Sequence, residues 1–248
     1  MYNVEELKTR QHELKLNEVR KLFIVGVGGI GSWVSLFSGL CSQVQHLYLW
    51  DDDKIEDSNL NRTPFRLEDI GHNKVDAMER LINERRLHDN TLKIEAKNER
   101  FTDKVCLELR HSGSDILIDC RDGLYGDIKS FKGKVYKVSY DGFSITIDGD
   151  YKNRVIWGQR TGGYEIIPSF ICPAVLVAVL VVADIFQKHG DDRLNKMITF
   201  DSNNLLEYIF NQTKNAVDGE IKNNNENEDE EDEEDDVEPV AEDEEDIW

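Results

Sequence analysis

The amino-acid sequence predicts an α/β fold in which a parallel half is followed by antiparallel strands of one mixed sheet, with a disordered acidic C-terminal tail. A short apolar run over residues 22–25 ends in glycines, and an apolar, helix-compatible segment follows it. That pattern is typical of a strand, a tight turn and a helix. From residue 134 onward, short segments of alternating apolar and polar residues predict antiparallel strands. Beyond residue 216, low hydrophobicity and dense negative charge predict disorder.

The first half alternates strands with helices, which favours parallel βαβ units with right-handed crossovers. Apolar residues at i, i+3 and i+7 (Val75, Met78 and Ile82) support a helix with one buried face. The predicted strands are residues 22–25, 46–50, 92–96 and 115–120, and the predicted helices are residues 30–40, 73–88 and 103–111.

In the second half, the Asp-Gly pair at 141–142 is a hairpin signal between strands predicted over residues 134–140 and 143–147. The apolar stretch 173–187 contains a proline and is shorter than the ~20 residues that a membrane-spanning helix needs, so it predicts a buried helix. Further strands are predicted over residues 153–157, 196–200 and 205–210. Residues 1–215 are expected to form one folded domain, and residues 216–248 the tail.

The net charge of −20 is concentrated in the tail, where residues 216–248 contain 18 Asp or Glu and one Lys. The remainder contains 32 acidic and 29 basic residues. This near-neutral body shows no basic block, so nucleic acid is not an expected partner. The sequence begins without a basic region followed by an apolar stretch, so no signal peptide, no membrane association and a cytoplasmic location are expected.

The four cysteines are Cys41, Cys106, Cys120 and Cys172. None of them forms a C-x-x-C pair, so no zinc site is expected. Their mostly apolar surroundings favour buried, reduced thiols.

Gly26, Gly28 and Gly31 have the G-x-G-x-x-G spacing of a nucleotide-binding turn, with Gly29 inside it. The first glycine allows a tight turn, and the second lets the backbone approach a ligand closely. The following helix would direct its N–H groups at an anion. Asp51, twenty residues after Gly31, could hold the ribose of an adenine nucleotide. Taken alone, this motif does not define a reaction.

A longer pattern is more specific. The glycine turn is followed by Asp51-x-Asp53, Ser58-Asn59-Leu60-Asn61-Arg62, Phe65, Gly71-x-x-Lys74 and Asp119-Cys120-Arg121-Asp122. In order and spacing, this pattern resembles the ThiF/MoeB superfamily, the Rossmann-like adenylating domain of ubiquitin-activating enzymes and their bacterial relatives. The resemblance extends over residues 21–210.

The resemblance implies an adenylyltransferase of the ubiquitin-like-modifier-activating type. Such an enzyme uses ATP and Mg²⁺ to attach AMP to a carboxylate and releases pyrophosphate. The implied partner is a ubiquitin-like or sulfur-carrier protein with a C-terminal glycine, and the implied assembly is a homodimer. Catalysis by positioning and charge neutralisation would fit the polar residues of the pattern.

The resemblance also implies roles for individual residues. Asp51 would hold the ribose, and Asp122 would hold Mg²⁺, which prefers carboxylates, phosphate oxygens and water. Arg62, Lys74 and Asp122 would be catalytic. The residues implied to contact the nucleotide are Gly26, Gly28, Gly29, Gly31, Asp51, Asp53, Asn59, Arg62 and Lys74.

The sequence departs from the family pattern at several points. Thr63 replaces the glutamine that commonly follows the phosphate-binding arginine. Residues 158–169 are short and contain no thioester-forming cysteine, and Cys172, beside Pro173, is a doubtful substitute. Arg10, and less strongly Arg20, are candidates for an arginine lent to a partner subunit.

Other interpretations therefore stay open. Asp51 and Asp53 could be only a polar strand end, Arg62 a solvated arginine and Asp122 a turn residue. The fold could serve a non-catalytic nucleotide-binding or scaffold protein. It could also adenylate a peptide or another small carboxylate, or act as an NAD-dependent oxidoreductase.

Overall fold

A computed structural model describes residues 14, 16–86, 92–121, 126–142, 144–149, 169–187 and 198–201. Within them lie four α-helices: α1 (Gly29–Leu40), α2 (Lys74–Arg85), α3 (Asp103–Glu108) and α4 (Ile171–Phe186). The strands are β1 (Val19–Val25), β2 (Val44–Trp50), β3 (Lys93–Lys97), β4 (Ile116–Asp119), β5 (Lys134–Asp141), β6 (Ser144–Asp148) and β7 (Ile198–Asp201).

The strands form one mixed sheet in the order β3-β2-β1-β4-β5-β6-β7. The pairings from β3 through β5 are parallel, and β5–β6 and β6–β7 are antiparallel. The predicted fold, with a parallel half followed by antiparallel strands, is confirmed. Because β1, β2, β4 and β5 all run in one direction, their carboxyl ends share one edge, where α/β proteins place ligands.

Each face of the sheet carries its own apolar core. On one face, residues of α1, α2 and α4 pack against inward side chains such as Leu22, Leu47 and Tyr136. The opposite face is aromatic, because Phe23 stacks on Tyr48 with ring centroids 4.7 Å apart. These two cores fix β1 and α1, the elements that flank the glycine turn.

Several element boundaries differ from those predicted. α2 ends at Arg85, three residues before the predicted end at residue 88, and α3 ends at Glu108 because Leu109 is extended. α4 begins at Ile171, since Pro173 is tolerated in the first turn of a helix. Two short 3₁₀ turns, Asp57–Asn59 and Leu67–Asp69, lie between β2 and α2.

The strands predicted over residues 153–157 and 205–210, the domain boundary at residue 215 and the tail lie outside the described residues. Among the described helices, none is both long enough and apolar enough to cross a membrane.

The expectation that the cysteines are buried is correct for Cys106 and wrong for Cys172, which is exposed at the start of α4. Cys41 and Cys120 are partly buried.

Candidate functional site

A cleft of about 510 Å³ opens at the carboxyl edge of the sheet. The glycine turn between β1 and α1 forms one wall, and the acidic turn after β2 forms another. The ends of β4 and β5 and Ser169, two residues before α4, line other sides. Its volume is within the range of small-molecule sites.

The glycine turn uses three of its glycines in different ways. Gly26 has φ +86°, a backbone conformation that other residues rarely adopt. A Cβ at Gly31 would overlap the Gly26 carbonyl oxygen, so this glycine lets helix and turn pack closely. A Cβ at Gly28 would meet nothing within 4 Å and would project into open space. Gly28 caps α1 and lines the cleft, so it is the point at which a ligand can reach the backbone.

Gly29 has a further role that the sequence pattern does not indicate. A Cβ at this position would lie 2.6 Å from the Tyr140 hydroxyl oxygen and 3.3 Å from two ring carbons. Gly29 therefore makes room for Tyr140, which comes from the end of β5 and also lines the cleft.

Asp51 is tied to the glycine turn. Its Oδ2 accepts a hydrogen bond from the Val27 N–H at 2.6 Å, and its Oδ1 accepts one from the Asp53 N–H at 2.9 Å. Burial raises the pKa of the Asp51 carboxyl, whereas nearby Lys74 lowers it. This carboxylate fixes the shape of the turn while it lines the cleft.

Lys74 begins α2 and carries its ammonium into the acidic turn. Its Nζ donates a hydrogen bond to Asp53 Oδ2 at 2.7 Å and lies 3.7 Å from Asp51 Oδ1. Only 10% of its side chain is exposed. A cation is unfavourable at a helix N-terminus, so the two carboxylates offset that cost and hold the ammonium at the cleft.

Arg62 also reaches the cleft. Its guanidinium donates to the Ser58 carbonyl oxygen and to Asn61 Oδ1. Its own carbonyl accepts a hydrogen bond from Trp33 Nε1 of α1 at 2.9 Å. The loop that carries Arg62 is thus anchored to the helix of the glycine turn.

Asn59 is placed differently from the other predicted residues. It is 9% exposed, and its Oδ1 accepts a hydrogen bond from the Glu56 N–H at 3.2 Å. Its carbonyl accepts one from the buried hydroxyl of Thr63 at 2.9 Å. Asn59 and Thr63 therefore stabilise the Arg62 loop from within, whereas the cleft is lined by Gly26, Gly28, Gly29, Asp51, Asp53, Arg62 and Lys74 among the predicted residues.

Asp122 lies outside the described residues, directly after Arg121. Arg121 is buried, and it pairs with Asp119 through Nε–Oδ1 at 2.8 Å and Nη2–Oδ2 at 3.0 Å. It also donates to the Phe101 carbonyl oxygen at 2.9 Å. This network fixes the end of β4 immediately before Asp122.

Arg20, the weaker candidate for an arginine lent to a partner subunit, forms an ion pair within its own chain, and a contact with a partner stays a prediction. Its Nη2 lies 2.8 Å from Asp115 Oδ1, at the amino end of β4 and away from the cleft. Arg10 lies outside the described residues.

Carboxylate oxygens of Asp51, Asp52 and Asp53 lie within 4.8 Å of one another. Arg100 Nε approaches Asp52 Oδ2 at 3.2 Å, and Lys74 pairs with the other two acids. Lys74 and Arg100 thus offset part of the negative charge of this acidic turn.

The described part of the cleft fits a phosphate-bearing nucleotide. Open space lies in front of the Gly28 backbone at the start of α1, where helical N–H groups lack partners within the helix. Lys74 and Arg62 supply positive charge on the same cleft.

Tyr140 and Cys120 line the cleft but are not among the predicted site residues. Alternation along β5 and its end beside the other strands are the signals that could have indicated Tyr140. Burial raises the pKa of the Cys120 thiol well above its usual range, which disfavours the reactive thiolate.

Among solved structures, the fold is similar to that of MccB from E. coli, with a TM-score of 0.61 and 22% identity over 78% of this chain and 61% of that one. MccB in complex with ATP gives a TM-score of 0.60, at 22% identity over 78% and 63% of the two chains. PaaA gives a TM-score of 0.51, at 22% identity over 71% and 56%. The chain spans less than two thirds of the length of each of these structures.

A search of curated proteins found no significant match. The ThiF family model matches residues 3–128, slightly more than half of the sequence. This match includes the glycine turn, the acidic turn, Arg62, Lys74 and the end of β4. The chain belongs to the ThiF family.

Proposed function

We propose that this protein adenylates a carboxylate, with ATP as the donor of AMP. The observation that carries the proposal is the convergence of Lys74 and Arg62 on the cleft in front of the open Gly28 backbone. A hydride-transferring enzyme would have no evident use for two such cations, whereas a triphosphate needs them.

In the proposed reaction, a carboxylate oxygen attacks the α-phosphorus of ATP. A new oxygen–phosphorus bond forms, the bond from the α-phosphorus to the bridging oxygen breaks, and pyrophosphate leaves with that electron pair. The residues of this chain would bind and orient the reactants, because such transfers depend mainly on positioning and charge neutralisation.

We propose roles for the charged residues of the pattern. Asp51 shapes the glycine turn and holds the ribose, and the ammonium of Lys74 exchanges Asp53 for phosphate oxygens. Arg62 neutralises charge on the transferred group. Bound Mg²⁺ would neutralise phosphate charge, and Asp122 is its proposed ligand.

The proposed acyl substrate is the C-terminus of a ubiquitin-like or sulfur-carrier protein that ends in glycine. A peptide C-terminus is the second candidate, because the microcin C7 biosynthetic enzyme MccB, solved in complex with N-formylated MccA, has a similar fold. We also propose a cytoplasmic homodimer, and light scattering after size-exclusion chromatography would test the dimer.

Exchange of labelled pyrophosphate into ATP tests the reaction. Wild-type protein would be incubated with MgATP and either small proteins ending in Gly-Gly or peptides with other free C-termini. Exchange that depends on one of these classes and is lost in Lys74→Ala supports adenylation and identifies the class. MgATP binding without exchange would favour the non-catalytic alternative, and absence of MgATP binding would contradict the proposal.

A further inference from the structure

Arg100 lines the cleft, although none of the sequence motifs includes it. It lies in the connection between β3 and α3, three residues after β3 ends at Lys97. The glycine turn follows β1 and Asp51 follows β2 in the same way. Because β1, β2 and β3 are parallel neighbours, these three connections leave one edge of the sheet side by side. The end of β2, with Asp51, therefore lies between the glycine turn and the connection that carries Arg100.

This connection is anchored on both sides of Arg100. Trp50 Nε1 donates a hydrogen bond to Glu99 Oε1 at 3.2 Å. The Phe101 ring packs edge-on against the Trp50 ring, with centroids 5.1 Å apart, and the Phe101 carbonyl oxygen accepts a hydrogen bond from Arg121 Nη1 at 2.9 Å. The neighbours of Arg100 are thus tied to the ends of β2 and β4, so the residue starts from a fixed position at the cleft.

The Arg100 side chain is directed by one acid of the cleft wall. Its Nε donates a hydrogen bond to Asp52 Oδ2 at 3.2 Å, and Asp52 also lines the cleft. The Arg100 side chain is 58% exposed, so a ligand can cover it. A guanidinium forms hydrogen bonds at its edge and stacks on aromatic rings through its faces. The pair with Asp52 is therefore compatible with stacking of a base on Arg100.

The order of the connections indicates which part of a nucleotide reaches Arg100. Phosphates at the Gly28 backbone and a ribose at Asp51 would occupy the ends of β1 and β2. Since neighbouring strands are about 4.8 Å apart, the end of β3 lies about 10 Å from that of β1, a distance that a nucleoside can span. Trp50 and Phe101 also line this part of the cleft and add apolar surface. The base would then lie beside Arg100.

We propose that Arg100 is a binding residue for the base of the nucleotide, and that its guanidinium, held by Asp52, covers one face of the adenine ring. The inference rests on the proposed binding of ATP and extends it to the nucleoside half of the ligand. It concerns a residue to which the ThiF pattern assigns no role.

Competition against labelled ATP tests the proposal, with MgATP, adenosine and magnesium tripolyphosphate as the competitors. Arg100→Ala should lower the affinities for MgATP and adenosine about fivefold each, the size of one cation–π contact. The affinity for tripolyphosphate, which has no base, should stay unchanged. Arg100→Lys keeps the charge but loses the planar face, so its affinity for MgATP should fall by a similar factor.

Arg66→Ala is the matched control. Arg66 is also an exposed arginine held by acids, since it pairs with Glu68 at 3.1 Å and with Glu84 at 3.0 Å. It does not line the cleft, so its removal should change each of the three affinities less than twofold. A thermal unfolding curve for each variant identifies any loss of folded protein.

The outcomes separate the two proposals. If wild-type protein does not bind MgATP, the proposed function fails, and this inference fails with it. If wild-type protein binds MgATP and Arg100→Ala binds it equally well, Arg100 forms only a surface ion pair, and its role at the base is overturned. A loss of tripolyphosphate affinity in Arg100→Ala, or full MgATP affinity in Arg100→Lys, would assign Arg100 to the phosphates and would also overturn that role.

Discussion

Lys74 shows most clearly how single residues are prepared for a ligand in this cleft. It lies at the first turn of α2 with one short contact to Asp53 and a longer one to Asp51. The Asp53 side chain is 62% exposed, so a phosphate can replace that carboxylate without uncovering a buried charge. The contact to Asp51 is the buried one, and it keeps the ammonium in place.

Lys74→Met should weaken MgATP binding by about ten- to a hundredfold, because it removes a charge-assisted interaction with phosphate. Calorimetric titration measures the change. Lys93→Met is the control, since Lys93 is exposed at the amino end of β3 and should leave the affinity unchanged. Equal affinity of Lys74→Met and wild type would remove Lys74 from the site.

Asp51 should make stability depend on pH. Burial raises its pKa above 3.8, so the folded state binds this proton more tightly than the unfolded state does. Its contribution to stability is therefore fully present below pH 3.8 and is lost as the pH rises through the raised pKa. The free energy of unfolding of wild type relative to Asp51→Asn should decrease as the pH rises through that window. Urea unfolding at a series of pH values measures this difference, and an increase with pH would contradict the assignment.

At the level of single residues, the sequence pattern identified four charged side chains that line the cleft, namely Asp51, Asp53, Arg62 and Lys74. Asp51 and Lys74 could be predicted because each directly follows a recognisable element boundary. Tyr140 was not predicted: alternation along β5 was a usable signal, but the close approach to Gly29 joins residues that are distant in the sequence. Asn59 is the opposite case. It belongs to the sequence motif, but it supports the Arg62 loop from inside and does not line the cleft.

The turn between β1 and α1 is the element that joins fold and site. Gly26 and Gly31 meet there through backbone atoms, and Asp51 accepts a hydrogen bond from the intervening Val27 N–H. Gly28 faces the cleft instead. We therefore assign the stability of the turn to Gly26 and Gly31, and ligand binding to Gly28.

Two alanine substitutions should separate these roles. Gly31→Ala should lower the free energy of unfolding by about 3 kcal/mol, because its Cβ overlaps a backbone oxygen. Gly28→Ala should cost within about 1 kcal/mol, the size of a helix-capping effect. Gly28→Ala should nevertheless weaken MgATP binding about tenfold, because its methyl group enters the space open to the ligand.

Urea unfolding and calorimetric titration on both variants check the two effects. A stable Gly31→Ala, or a Gly28→Ala that binds MgATP as well as wild type, would show that the glycines are assigned wrongly.

At the scale of the whole molecule, local periodicity sufficed to predict the order of elements. It also predicted the change from parallel to antiparallel pairing at β5. It did not predict the ends of α3 and α4, since helix ends depend on local capping and packing that periodicity does not record. The contact between Arg20 and Asp115 at the amino edge of the sheet was not predicted either, because it joins residues that are distant in the sequence.

Comparison of MgATP with NAD⁺ by isothermal titration calorimetry on the wild-type protein tests the central claim most directly, because it does not require the acyl substrate to be known. A glycine turn of this kind is compatible with either nucleotide, whereas Lys74 and Arg62 favour the triphosphate. We predict saturable binding of MgATP and no measurable binding of NAD⁺ at the same concentrations. Tighter binding of NAD⁺ than of MgATP, or no binding of either nucleotide, would contradict the claim.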